Sequence, residues 1–139
     1  MEYKRYGSDI IIRLDRGDEL VAKLKEAAEK EKISFASVSG IGAVGSAVTG
    51  YFDTVERRFK SSEITGDLEI VSLAGNINKM NGETYLHLHM SVADESGKVF
   101  GGHLSRAVIS GTGEIILHCI DAETDRAYDD ETGLNIIKF

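Results

Sequence analysis

Apolar and polar residues alternate with a period of two through most of this chain, and this alternation points to a fold built on a sheet. Successive side chains of a strand lie on opposite faces of the sheet, so each such segment predicts a half-buried strand. We predict strands over seven segments, at residues 9–14, 34–39, 46–52, 68–74, 86–93, 99–109 and 114–120. Residues 134–139 are apolar enough to dock as a final strand after an acidic loop.

A single segment, residues 18–31, has the periodicity of an amphipathic helix. Its apolar stripe consists of Leu20, Val21, Leu24, Ala27 and Ala28. We expect Asp15 or Asp18 to cap its start, with acidic residues in the first turn.

The connections between strands are too short for parallel neighbours, which need crossovers of a dozen or more residues. Segments 95–97 and 110–113 suit antiparallel hairpins. The predicted fold class is therefore α+β, a mainly antiparallel sheet of about seven strands flanked by one principal helix.

The length of 139 residues fits one domain, which we place at 1–139. An apolar content of 42% is too high for disorder, and no stretch approaches the ~20 apolar residues of a membrane helix. Residues 1–7 lack the apolar core of a signal peptide, and a lone Cys119 cannot form an internal disulfide, so we expect a cytoplasmic protein. Cys119 is expected to be a small buried residue rather than a nucleophile.

The charge balance argues against unaided binding of nucleic acid, whose affinity comes mostly from neutralised phosphates. The chain has 16 basic and 23 acidic residues, a net charge of −7. Segment 121–131 alone holds six acidic residues against one base, Arg126. The densest basic cluster, Arg57, Arg58 and Lys60, is interpreted as a solvated strand edge.

Two histidines share one face of the strand predicted at 86–93. His87 and His89 occupy odd positions, whereas the even positions Leu86, Leu88, Met90 and Val92 form an apolar face. A tight loop with Gly97 in the left-handed position would pair Asp94 with Lys98. This register sets His89 opposite His103, with Cβ atoms about 5 Å apart, and makes His87 a diagonal neighbour.

Three converging neutral imidazoles suit zinc or another divalent transition metal, with a fourth position left for water, substrate or another residue. The alternative is three histidines that are each satisfied by ordinary hydrogen bonds. Gly101 and Gly102 would allow backbone or ligand to approach closely. His118 lies outside the predicted ligand set and is expected to be a core or interface histidine.

Segment 40–45 matches the G-x-G-x-x-G dinucleotide fingerprint. That motif requires a helix after the glycines, whereas residues 46–52 have the pattern of a strand. We therefore interpret these glycines as a tight β connection or as a place where a neighbouring backbone approaches.

The sequence resembles the plant and prokaryote conserved (PPC) domain family. The resemblance covers nearly the whole chain and is carried, in the family's order, by residues 38–43, 68–77, 86–89 and 101–104. It implies an antiparallel sheet flanked by helix, a homotrimer, and zinc held by His87, His89 and His103. Plant members carry AT-hooks and a Gly-Arg-Phe-Glu-Ile-Leu motif; this chain has no AT-hook and has Asp67 where that motif has arginine.

Two classes of function follow. By resemblance, the chain is a metal-binding, DNA-binding or transcription-associated regulatory domain, although its charge disfavours DNA. Alternatively, it is a small zinc enzyme of hydrolase or lyase type that acts on an unknown small molecule. Glu69 and Glu114 are then candidate catalytic proton carriers, and Asn76, placed in a turn at 75–77, is a candidate ligand-binding residue.

Overall fold

The computed structural model describes all residues, 1–139, and consists of eight strands and one helix. The elements are β1 (Glu2–Tyr6), β2 (Asp9–Leu14), α1 (Leu20–Lys30), β3 (Phe35–Asp53), β4 (Arg58–Met80), β5 (Glu83–Ala93), β6 (Val99–Ile120), β7 (Asp125–Asp129) and β8 (Leu134–Lys138). Every strand pairing is antiparallel. The predicted α+β class, a mainly antiparallel sheet with one helix, is confirmed.

Six strands form the main sheet in the order β1-β2-β6-β3-β4-β5. Residues 99–103 at the start of β6 also pair with β5, so β6, β3, β4 and β5 close into a ring. The remaining two strands, β7 and β8, form a separate hairpin. Both strands that carry the three candidate histidines, β5 and β6, belong to the closed ring.

One apolar core holds the molecule together, because each strand turns its alternate apolar residues to the same side. The core contains 24 buried apolar residues, drawn from β2 to β6, from α1 and, with Ile33, from the connection between α1 and β3. Helix α1 packs against β5 and β6 and buries Leu20, Leu24, Ala27 and Ala28 completely. No helix of the structure combines the length and the apolar character needed to cross a bilayer.

Two predicted breaks between strands are wrong. Segments 34–39 and 46–52 belong to the single strand β3, and segments 99–109 and 114–120 belong to β6. The hairpin predicted at 110–113 is therefore absent, and this glycine-rich segment continues the strand. The pairing of β3 with β6 shifts register at Gly42/Val44 and Val44/Ser46, which bends the strands without ending them.

The fingerprint-like glycines at 40–45 lie inside β3, so the rejection of a dinucleotide-binding loop is confirmed. A Cβ built on Gly42 would lie 2.3 Å from the Thr112 carbonyl oxygen, and the φ of Gly42 is +143°. Only glycine fits where β3 and β6 come this close. Of the two earlier interpretations, the approach of a neighbouring backbone is therefore correct.

Neither predicted cap is correct, because the N-cap lies one residue after Asp18. Glu19 is the N-cap, and its carboxylate accepts hydrogen bonds from the N–H groups of Val21 and Ala22. Asp18 does not cap the helix because its carboxylate instead accepts from the N–H of Asp15. The first helical turn contains no acidic residue, contrary to expectation.

The final strand predicted at 134–139 is confirmed as β8. Its partner β7 was not predicted, since it lies in the acidic segment that the composition marks as a loop. Strand β1 was also missed, because its sequence of charged and aromatic residues lacks a clear apolar alternation. The β7–β8 hairpin bears on the candidate site because residues of both its strands line the same cavity as the three histidines.

Candidate metal centre

The β5–β6 hairpin has the predicted register. His89 pairs with His103, and the Asp94 N–H donates to the Lys98 carbonyl oxygen at 3.0 Å. Gly97 has a φ of +79°, as the left-handed position requires. The sequence between the two strands thus aligns the histidines across the hairpin.

The three histidine side chains converge at one point. Their ring centroids are separated by 5.3 Å between His87 and His89, 5.2 Å between His87 and His103, and 5.6 Å between His89 and His103. One ring nitrogen from each residue lies within 4.8 Å of the other two. This is the only group of three or more histidine, cysteine, aspartate or glutamate side chains with such spacing.

None of these three rings makes a hydrogen bond within the protein. Every buried side-chain nitrogen or oxygen atom of the protein has a hydrogen-bond partner, so the unpaired ring nitrogens are not buried and face accessible space. The protein itself thus supplies no hydrogen-bond partner to these rings, and the choice between metal ligands and histidines satisfied by ordinary hydrogen bonds stays a prediction. His118 behaves differently, because its Nδ1 lies 2.7 Å from an Asp9 carboxylate oxygen. His118 is exposed, so the expectation of a core position for it is wrong.

The pKa of His87 is lowered to about 4, by burial first and then by the nearby His103, Arg126 and His89. The pKa of His103 is also lowered, by burial first and then by His89. Both rings are therefore neutral at pH 7, which is the form that donates a lone pair to a metal ion.

A cavity of about 800 Å³ opens beside the histidines. Its walls come from the β3–β4 hairpin, from β4, β5 and β6, and from the β7–β8 hairpin. The lining residues are Gly50, Tyr51, Phe52, Phe59, Asn76, Tyr85, His87, His89, Gly102, His103, Arg126, Gly133, Leu134, Asn135, Ile136 and Ile137. Most of the wall away from the histidines is aromatic or aliphatic, and the Phe59 ring meets His103 edge-on at 5.4 Å.

Arg126 lines this cavity and was not predicted as a site residue. Its guanidinium donates to the side-chain oxygens of Asn76 and Asn78, both at 2.8 Å, and to the Asn135 carbonyl at 2.7 Å. It also lies over the Tyr85 ring, 4.6 Å from the centroid. These contacts fasten the β7–β8 hairpin to β4 and β5. The acidic composition of segment 121–131 carried no signal of this role.

The other candidate residues take different places. Asn76 lies inside β4 rather than in a turn, pairs with His87 and lines the cavity. Gly102 also lines the cavity, whereas Gly101 packs against the backbone of β5. Glu69 and Glu114 are exposed and do not line the cavity, so the structure does not bring these carboxylates to the histidines.

Cys119 is half-buried rather than buried, and burial raises the pKa of its thiol. It lies beside a smaller depression of about 350 Å³, separate from the histidine cavity. The thiol is therefore not part of the candidate centre.

The donor set fits a transition metal ion. Zinc binds imidazole nitrogen at about 2.0–2.1 Å, which places tetrahedral ligand atoms roughly 3.4 Å apart. The nitrogens here lie within 4.8 Å of one another, so each pair needs to approach by at most about 1.4 Å. Three imidazole nitrogens with one open side match a site that keeps a fourth position free.

Known proteins are similar to this chain in both fold and sequence. A "putative DNA binding protein" from Bacteroides thetaiotaomicron is 31% identical, with a TM-score of 0.96, 99% of this chain covered and 96% of the other. A metal-containing protein from Archaeoglobus fulgidus is 35% identical, with a TM-score of 0.86 and coverage of 97% and 95%.

One curated relative is much longer. The bifunctional protein GlmU from a Synechococcus strain is 30% identical over 125 residues, which are 88% of this chain but only 19% of that protein. The sequence model of the Plants and Prokaryotes Conserved (PCC) domain matches residues 1–121. The expected family resemblance is thereby confirmed, and the chain belongs to the Plants and Prokaryotes Conserved domain family.

Proposed function

We propose that His87, His89 and His103 bind one divalent transition metal ion, with zinc as the first candidate. The observation that carries this proposal is the convergence of three ring nitrogens within 4.8 Å, none of them hydrogen-bonded within the protein. Imidazole nitrogens in this arrangement are typical zinc ligands. The metal-containing relative from Archaeoglobus fulgidus, 35% identical over nearly the whole chain, supports the same proposal.

The open side of the proposed metal ion would face the cavity of about 800 Å³. A volume of this size is typical of sites for small molecules. We therefore propose that the domain binds a small molecule at its metal centre, and a zinc enzyme of hydrolase or lyase type is one form of this function. The cavity wall contains no carboxylate, so Glu69 and Glu114 have no role in this proposal.

Metal content measured on untagged protein purified without added metal tests the proposal. We expect close to one equivalent of zinc or another transition ion per chain, and His103→Ala should lose it. His118→Ala is the matched control, because it removes an exposed histidine outside the cluster and should leave metal content unchanged. Circular dichroism checks that both variants are folded. A wild-type chain that cannot be loaded, or a His103→Ala chain with full metal content, would contradict the proposal.

DNA binding is the second candidate function, favoured by the name of the Bacteroides relative. The net charge of −7 disfavours DNA binding. The densest basic cluster offers little to phosphates, because Lys60 pairs with Asp53 at 2.7 Å and Arg58 with Glu56 at 2.8 Å. A salt titration with a random duplex decides: affinity that falls steeply with salt supports DNA binding, and no binding at low salt excludes it for this chain.

We also propose that the chain assembles as a homotrimer and works in the cytoplasm. Support for assembly comes from the exposed, paired Ile11 and Ile116 on the outer face of the sheet. Clustered apolar side chains on a surface are typical of a contact with another chain. The lone thiol Cys119, which has no partner cysteine, suits a reducing compartment.

A further inference from the structure

The Arg126 guanidinium has no negative charge beside it, although the residue is only 5% exposed. No carboxylate oxygen lies within ion-pair distance of it, and it is the only formally charged residue of the cavity wall. The adjacent Asp125 carboxylate accepts from backbone N–H groups instead. A buried cation without a counter-charge is costly, so such a residue is rarely retained for packing alone.

The hydrogen bonds of Arg126 leave donors unused. The guanidinium has five N–H groups, and three of them reach Asn76, Asn78 and the Asn135 carbonyl. Each terminal nitrogen makes one hydrogen bond and therefore keeps one N–H free. Because these bonds hold the guanidinium in place, its free donors are fixed before any ligand arrives.

The Arg126 guanidinium lies in the same cavity as the three histidines. Asn76 accepts from Arg126 and pairs with His87 across the sheet, and Tyr85 stacks under the guanidinium two residues before His87. The cation and the three rings therefore line one wall of the same cavity. A divalent ion held by three neutral imidazoles would add positive charge there, again without any carboxylate to balance it.

We propose that this cavity binds a small organic carboxylate, with its negative oxygens on the free N–H groups of Arg126 and its apolar part against Phe52, Leu134 and Ile136. Arg–carboxylate hydrogen bonds are charge-assisted and strong in such a buried site. The apolar wall favours this class over inorganic phosphate, whose remaining oxygens would find no donors there. The inference deepens the proposed function and rests on it in placing the ligand beside the metal ion.

Calorimetric titration with isovalerate, a branched aliphatic carboxylate, tests the inference on protein of measured metal content. Isovaleramide is the matched ligand without the charge. We expect wild type to bind the acid at least about tenfold more tightly than the amide, since replacement of a charge-assisted pair by a neutral contact costs at least that factor. Arg126→Met should abolish this preference with metal content unchanged.

Arg126 also fastens the β7–β8 hairpin, so a control must loosen that hairpin and leave the cavity charge intact. Asp129→Ala does this, because the Asp129 carboxylate accepts from the N–H and hydroxyl of Thr132 in the hairpin turn and lies outside the cavity wall. This variant should keep the preference for isovalerate. If Arg126→Met does not fold, an NMR titration of wild type takes the place of this variant. The side-chain signal of Arg126 should shift with isovalerate and not with isovaleramide.

Three outcomes would overturn the inference while leaving metal binding intact. Wild type binds acid and amide equally, wild type binds neither, or folded Arg126→Met keeps the preference for the acid. A chain that takes up no metal would instead overturn the proposed function. The same titrations on that metal-free chain still decide the carboxylate inference, by the presence or absence of an Arg126-dependent preference for the acid.

Discussion

At Gly102 two backbones meet with no room for a side chain. A Cβ built there would lie 2.5 Å from the Gly50 carbonyl oxygen, which belongs to the neighbouring strand β3. Gly102 directly precedes His103 and lines the cavity. The position of His103 thus depends on Gly102, which lets β3 and β6 approach each other.

We predict that Gly102→Ala destabilises the fold by about 1–3 kcal/mol, the usual cost of overpacking, and weakens metal binding because His103 is displaced. Gly45→Ala is the matched control, since its Cβ would meet Ser110 at an ordinary 3.6 Å. Denaturant unfolding and zinc titration of both variants measure the two effects. A Gly102→Ala chain as stable as wild type would show that the strands can separate at no cost.

The histidines and Arg126 differ in how far their roles can be predicted from sequence. His87 and His89 share a face by strand alternation, and a short hairpin places His103 opposite, so only local geometry is needed. Arg126 depends on Asn76 and Asn78, about fifty residues earlier in the chain. No local pattern encodes that contact, and the surrounding acids mark the segment as solvated.

At the scale of elements, the turn of the β5–β6 hairpin sets the register that brings the histidines together. Its Asp94 carboxylate accepts hydrogen bonds from the Ser96 N–H at 2.9 Å, the Ser96 hydroxyl at 2.6 Å and the Lys98 N–H at 3.0 Å. The hydrogen bond from the Ser96 side chain is the largest cause that lowers the Asp94 pKa. The ionised carboxylate is therefore bound more favourably in the folded chain than in the unfolded one.

Because the pKa of Asp94 is lower in the folded state, the stability that its carboxylate contributes is present above about pH 4 and is lost as the pH falls through the folded pKa. We predict that Asp94→Asn is less stable than wild type at neutral pH and that the difference shrinks below about pH 4. Urea unfolding across this range measures it. Glu95→Gln, which alters a carboxylate of the same loop without any hydrogen bond, is the control. A difference independent of pH would contradict the prediction.

Elements were predicted well where one local pattern determines them and poorly where it does not. The helix, the β5–β6 hairpin and β8 follow from periodicity and turn chemistry. The glycine-rich segments 40–45 and 110–113 carry the sequence signature of turns, yet they lie side by side in β3 and β6. Glycine permits a turn and a bend equally, and only the paired strand decides between them.

At the scale of the whole molecule, the proposed homotrimer rests on exposed apolar side chains on the outer face of the sheet. Ile11 is 52% exposed and Ile116 is 47% exposed, and they pair across β2 and β6. The adjoining Ser39 and Ala74 are small and exposed, so the face has little to obstruct a second chain.

We predict a mass close to three times 15.1 kDa by light scattering, in keeping with the proposed homotrimer. Ile116→Lys should shift the mass toward a monomer, because it places a charge in the apolar contact. Val55→Lys is the control: Val55 is 92% exposed in the β3–β4 turn, away from this face. A monomeric wild type, or a trimeric Ile116→Lys chain, would contradict this interface.

The overall class could be predicted because it depends on the proportions of strand and helix, whereas the closure of the sheet could not. Closure requires β6 to pair with β5 over residues 99–103 and with β3 over residues 103–120. The pairing with β3 joins residues 53 to 85 positions apart. Such a register results from packing of the complete core, which no single segment encodes.

The ring of strands also limits how far the candidate metal-binding histidines can move. β5 is hydrogen-bonded to β4 along its whole length and to β6 over residues 89–93, so His89 has a strand partner on both edges and His87 pairs with Asn76 of β4. Local opening of a segment is easy where few hydrogen bonds must break and costs nearly as much as global unfolding in a central strand. The backbones of the histidines are therefore held in place before a metal ion binds, whereas the β7–β8 hairpin has no strand partner in the main sheet and is held to it by the side-chain hydrogen bonds of Arg126.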